Sequence, residues 1–160
     1  MEEKKIIIKY QELSYDEPEK SDKELIEKAI KAAKDAYVPY SDFHVGVAVK
    51  LNNGTILKGN NQENAAYPSG LCAERVVLFY ANANYPDNAV DTMAIVTTDN
   101  KGEIIGKNAS PCGACRQVIA ETEVRYKTPV RILMASKKSV LIFNSIADLL
   151  PFSFNQESLG

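Results

Sequence analysis

The chain has 160 residues, 45% of them hydrophobic, which suits one domain with a full buried core. Its 19 Lys and Arg against 21 Asp and Glu leave a net charge near −2, with no basic stripe, which argues against nucleic acid as a standing partner. No apolar run approaches the roughly 20 residues that span a bilayer, and Glu2-Glu3 precede a short Ile6-Ile7-Ile8 run, so no membrane contact and a cytoplasmic setting are expected.

Residues 1–20 read as an N-terminal extension with a short strand, Lys5 to Tyr10, followed by a polar stretch ending near Pro18. Residues 21–160 read as a single domain. Ser21-Asp22-Lys23-Glu24 has the pattern of a capping box that opens a helix. Leu25, Ile26, Ala29, Ala33 and Ala36-Tyr37 give that helix an apolar face, and Pro39 stops it. Val45, Val47 and Val49 alternate, so His44 to Leu51 is expected as a strand. Asn52-Asn53-Gly54 is a hairpin turn signal, and Thr55 to Asn60 returns as the next strand.

Further on, Cys72 to about Ala83 is expected as a helix with Val76, Val77, Phe79 and Tyr80 as its bulk. Thr92 to Thr98 suits a central strand. Cys112 to about Thr122 reads as another helix. Val130 to Ala135 and Val140 to Phe143 read as strands, and Ser145 to Leu150 as a last short helix ended by Pro151. Helices alternating with strands after a leading hairpin predict an α/β fold with a mixed sheet.

All three cysteines fall in two segments, Cys72-Ala73-Glu74-Arg75 and Pro111-Cys112-Gly113-Ala114-Cys115. An odd count fits a metal site better than a disulfide framework. Cys112 and Cys115, three apart at a helix start, can reach one ion, and Pro111 suits that start. Cys72 opens its own helix, so two helix dipoles favour ionised thiols. Three thiolates fill three corners of a tetrahedral zinc site and leave the fourth for water. Glu74 beside it is a candidate proton shuttle. Arg75 is a candidate second-sphere donor that offsets the negative charge of three thiolates.

The pairing C-A-E with P-C-x-x-C resembles the cytidine deaminase family, in its three-cysteine, free-nucleoside branch. The resemblance runs from about Ala33 to Phe154. It implies a three-layer α/β/α sandwich with a five-stranded mixed sheet and one Zn²⁺ per chain. It also implies hydrolytic deamination of cytidine and deoxycytidine to the uridine forms. Asn61-Gln62-Glu63-Asn64-Ala65 resembles the N-x-E-N-A segment that holds the ribose, with Asn61 and Glu63 on the sugar hydroxyls and Ala65 beside them. Phe43 matches the aromatic that packs on the pyrimidine. The Ala73 N–H and the Ser110 carbonyl match partners of the base. Leu149-Leu150-Pro151-Phe152-Ser153-Phe154 resembles the closing L-L-P-x-x-F, whose last aromatic enters a neighbouring subunit's pocket. Phe154 and Tyr67 are therefore expected at subunit contacts of a homotetramer.

Other readings of the same residues stand beside this one. C-x-x-C alone also occurs in redox pairs and structural zinc knots, the latter needing a fourth ligand such as His44, the only histidine. Nothing assigns a role to His44, for which a strand-edge position is the plain expectation. A deaminase of a nucleoside antibiotic of the blasticidin type would use the same chemistry, and Asn61 and Glu63 favour a ribose-bearing substrate instead. A nucleic-acid-editing enzyme would want a basic surface. A zinc-stabilised binding module would have no use for Glu74.

Overall fold

Val45, Val47 and Val49 do build a strand, β2 (His44–Leu51), which folds back through a turn onto β3 (Ile56–Asn60). Gly54 in that turn has φ +87°, a left-handed conformation open to glycine at little cost. The computed structural model describes residues 1–160. Around the hairpin it places β1 (Gln11–Ser14), α1 (Lys20–Ala33), α2 (Ala73–Asn84), β4 (Val90–Thr98), α3 (Gly113–Tyr126), β5 (Arg131–Ala135) and β6 (Ser139–Phe143). The strands form one sheet in the order β1-β6-β5-β4-β2-β3. Only the central pair β4–β5 is parallel, with α3 as its crossover.

Helices cover both faces, giving the three layers. On one face, Leu25, Ile26, Ala29 and Ala33 of α1 pack on Ala48, Ala94, Val96 and Leu133. On the other, Val77, Leu78 and Ala81 of α2 and Ile119 of α3 pack on Val47, Val49, Met93, Ile95 and Ile132. Small residues let the helices close in. A Cβ at Gly59 would lie 2.9 Å from Val77 N and 3.0 Å from the Ala73 carbonyl, so glycine there seats the first turn of α2 directly on β3.

Five expectations need correction. The sheet has six strands, not five, because β1 adds to β6 at the edge. That strand is Gln11–Ser14, not Lys5 to Tyr10: Leu13 is the residue that covers the α1-side core, and β6 offers partners only opposite 11–14. The capping box at Ser21 does not form. The helix already begins at Lys20 with Glu19 as N-cap, and Asp22 turns inward to a bidentate pair with Arg131 at 2.7 Å. Pro39 is not what ends α1. The helix stops at Ala33, and Tyr37 is already engaged with the chain at Asn61 and Glu63 through backbone hydrogen bonds. The last helix shrinks to a 3₁₀ turn, Ile146–Asp148, with the Ser145 side chain accepting from Ala147 N.

No helix is long and apolar enough to cross a membrane.

Candidate active site

Cys72 is the N-cap of α2 and Cys112 the N-cap of α3, both with extended backbone. Pro111 therefore stands one residue before the cap, not at the first helical position as its identity suggested. Cys115 lies in the first turn of α3 and is fully buried. The two helix N-termini meet, and their positive ends face the sulfurs. Cys72 Sγ lies 3.8 Å from Cys112 Sγ, which lies 3.5 Å from Cys115 Sγ. All three fall within 4.8 Å of one another. Zn–S bonds of about 2.3 Å at tetrahedral angles put sulfurs about 3.8 Å apart, so the thiols fit one zinc ion. No fourth protein ligand joins them, and His44 is instead beside Asp42 at 3.4 Å.

The thiols also compete for ionisation. Cys72 is held well below the ordinary thiol value, first by the Cys115 thiol beside it and then by Arg75. Cys115 is pushed up, because its proton is engaged by Cys72 and because it is buried. A bound cation removes that competition by favouring thiolate at every ligand.

Glu74, in the first turn of α2, is only 5% exposed. Burial pushes its carboxyl up, and the negative charge on Cys72 adds to the push. It is thus a carboxyl that holds its proton to higher pH than an exposed glutamate does. The Arg75 guanidinium donates to Cys72 Sγ at 3.6 Å.

A cavity of about 490 Å³ opens beside Cys72 and Arg75. Its other walls include Asn61, Glu63, Tyr67, Tyr40, Ser41 and Leu71. The two sugar-side candidates face it while also tying loops together. Asn61 Oδ1 accepts from Val45 N at 2.9 Å, and its Nδ2 donates to the Phe43 carbonyl at 2.8 Å. The Glu63 carboxylate accepts from Tyr40 N at 3.0 Å, Ser41 N at 3.3 Å and the Ser41 hydroxyl. These bonds, led by the Ser41 hydroxyl, hold its carboxyl below the ordinary value. A carboxylate offers about four acceptor sites and an amide four positions, so each keeps capacity for a ligand.

Phe43, Ala65, Ala73, Ser110 and Phe154 do not line this cavity. Phe43 is half-exposed at the mouth of β2, and Ala73 is buried beside the thiols. The Ser110 hydroxyl points to Met134 Sδ at 3.6 Å. Phe154 is 60% exposed, on a tail whose carbonyls bind α3 side chains: Arg116 donates to Leu149 O and Gln117 to Phe154 O. Tyr67 is 77% exposed and meets Tyr40 edge-on. Sequence reasoning missed Tyr40 and Ser41, the clamp on Glu63. The partners stand 23 and 22 residues from Glu63, and only a Ser after Pro39-Tyr40 hinted at a turn.

Comparison with known proteins agrees with this geometry. Residues 19–129 match the family model described as the cytidine and deoxycytidylate deaminase zinc-binding region. A cytidine deaminase of Halalkalibacterium halodurans is 38% identical over 137 residues, covering 85% of this chain and 96% of that protein. One from Sporosarcina psychrophila is 39% identical, covering 85% and 93%. The crystal structure of cytidine deaminase from Burkholderia pseudomallei superposes with a TM-score of 0.69 at 36% identity, covering 82% of this chain and 98% of that one. None of these relatives supports the antibiotic-deaminase alternative. By motif, thiol geometry and likeness, the chain belongs to the zinc-binding cytidine and deoxycytidylate deaminase family.

Proposed function

We propose that this chain hydrolyses the 4-amino group of cytidine and deoxycytidine, giving uridine or deoxyuridine and ammonia. The observation that carries this reading is the three-thiol cluster at two helix N-termini, with buried Glu74 beside it and a polar cavity in front. Cys72, Cys112 and Cys115 would hold one zinc, which would supply Lewis acidity and a nucleophilic water near neutral pH. Glu74 accepts the proton of the attacking water and delivers it to ring N3. As the C4–N4 bond breaks, Glu74 takes the remaining proton from the hydroxyl added at C4 and passes it to the departing amine, so the C4 carbonyl forms, one water is consumed and one ammonia leaves. Arg75 donates to Cys72 Sγ and so draws charge away from the thiolates.

Asn61 and Glu63, with Ala65 in the same segment, bind the sugar hydroxyls with the acceptor and donor positions that Tyr40, Ser41, Phe43 and Val45 leave free. Phe43 packs on the pyrimidine. The Ala73 N–H and Ser110 carbonyl read the base. The active unit is a homotetramer in which Tyr67 and Phe154 of one subunit border a neighbour's cavity. The exposure of Tyr67, Phe152 and Phe154 supports that assembly, since covering each of these side chains with a neighbour removes apolar surface from water. Three thiols that must stay reduced suit the cytoplasm.

The test is loss of the cytidine absorbance band on adding zinc-loaded protein, with and without a chelator. A panel of cytidine, deoxycytidine, cytosine and a ribose-free aminopyrimidine accompanies it. Turnover restricted to the two nucleosides and abolished by chelation is expected. Equal turnover of the ribose-free compounds overturns the sugar-binding role of Asn61 and Glu63, and chelator-resistant turnover overturns the metal chemistry.

A further inference from the structure

Residues 1–10 take no part in the site. Residues 1–9 make no backbone hydrogen bond, and Ile6, Ile7 and Ile8 are 54%, 79% and 49% exposed. The family match begins only at residue 19. Yet Lys5-Ile6-Ile7-Ile8-Lys9-Tyr10 is rich in strand formers and runs directly into β1, the open edge of the sheet. Tyr10 stacks on Phe143, the last residue of β6, with ring centroids 5.4 Å apart, so everything before Tyr10 overshoots the sheet. An unpaired strand former beside an open edge is a template for another strand.

We propose that residues 2–10 pair antiparallel with the same segment of a second copy of this chain, about a two-fold at Ile6. The charge pattern selects both the partner and the register. With Ile6 opposite the partner's Ile6, Glu3 faces the partner's Lys9, an opposite-charge pair made twice by symmetry. On that register no like charges meet. Ile6, Ile8 and Tyr10 share one face because side chains alternate, so the two copies align six apolar side chains in a row. A one-residue slip in one direction sets Lys4 against the partner's Lys9. The other direction sets Ile8 against the partner's Glu3 and leaves no isoleucine facing another. Slips of two set Lys5 against the partner's Lys9, or against the partner's Lys5. A two-stranded ribbon alone is marginal, so pairing is expected at high concentration or between copies that other surfaces also hold.

Cross-linking reads the contact in either case. In zinc-loaded protein, so that the site thiols are occupied, Ile6→Cys should give a disulfide-linked dimer under mild oxidation, because directly opposed strand residues lie within disulfide range. Ile8→Cys alone should not, whereas a mixture of Ile8→Cys and Lys4→Cys chains should. Adding Glu3→Lys to Ile6→Cys should cut the dimer yield several-fold, and adding Lys9→Glu as well should restore it. Deleting residues 1–10 should leave zinc content and cytidine turnover unchanged. Equal yields with the cysteine at position 4, 6 or 8 mean random collision and overturn the proposal. So does a yield indifferent to the Glu3 and Lys9 charges. Protection of the Ile6→Cys thiol only on adding phosphatidylcholine vesicles assigns the segment to a lipid surface and also overturns it.

Discussion

Ala73, Glu74 and Cys115 belong to helix turns pressed on the sheet, at 0%, 5% and 0% exposure, whereas Asn61, Glu63, Tyr40 and Ser41 sit on loops at the protein surface. The first group inherits its position from the apolar core. Each side chain of the Val77 and Leu78 type fixes α2 with about 1.5–3 kcal/mol of burial. The second group is held by side-chain-to-backbone hydrogen bonds, each with a net contribution of about 0.5–1.5 kcal/mol. On the proposed function the difference separates two tasks. The chemistry would be anchored where movement is expensive, and sugar recognition where the walls can adjust to a ligand. Changes in the first region should act on turnover and metal retention, and changes in the second on KM.

The largest expected effect tests the buried half. Glu74→Gln keeps the shape and removes the proton carrier, so kcat should fall by about 10²–10⁴-fold or more while zinc content and thermal stability stay near those of the parent. Near-normal turnover would remove Glu74 from the chemistry. Gly59→Val probes the same half from below. The new side chain would press on Val77 N and the Ala73 carbonyl, and overpacking of this kind typically costs about 1–3 kcal/mol. Because Ala73 directly follows Cys72, that strain should also loosen zinc. Chelator competition and thermal melts measure the two effects together. Lost stability with unchanged zinc affinity would mean that α2 yields at its far end instead of at the site.

Arg75→Ala should have a smaller effect, about 10–100-fold in rate, as is common for groups that tune a metal ligand. Zinc should remain bound. The guanidinium donates to Cys72 Sγ, so Arg75→Lys, which keeps the charge without the fork, should recover part of the loss. Equal losses in both variants would point to geometry and not charge as the contribution of Arg75.

The legibility of the sequence follows the same division. The meeting of the three thiols with Arg75 could be read because cysteines at short spacing at two helix starts bring their side chains to one point. Strands β2 to β6 could be read because each buries an alternating or continuous apolar face. The position of β1 could not. The isoleucines at 6–8 are better strand formers than Gln11–Ser14, but pairing is decided by where β6 ends and by Leu13 covering α1, both long-range facts. Asp22 misled for a similar reason: it looked like part of a cap, and its partner Arg131 is 109 residues away. The clamp of Tyr40 and Ser41 on Glu63 was hidden because backbone donors carry no sequence signature.

The smallest effect concerns that clamp, and it sharpens the contrast most. Glu63 accepts from Tyr40 N, Ser41 N and the Ser41 hydroxyl, and these bonds favour the ionised carboxylate. A depressed carboxyl contributes its contact above its ordinary value of 4.5, and the contact is lost as pH falls through the lower folded value. KM for cytidine should therefore be flat near neutrality and rise only as pH falls through that lower value, with no matching change in zinc content until the ligands themselves protonate. Ser41→Ala removes the strongest of the three donors. It should raise KM by about three- to tenfold at neutral pH, in line with the ~0.5–1.5 kcal/mol net contribution of one ordinary hydrogen bond, and leave kcat nearly intact. It should also move the acid limb of the KM profile to higher pH, because the carboxylate loses its main support. An equal fall in kcat would mean that the loop bearing Glu63 positions the reacting ring as well as the sugar, and the two halves of the pocket would then be one mechanical unit.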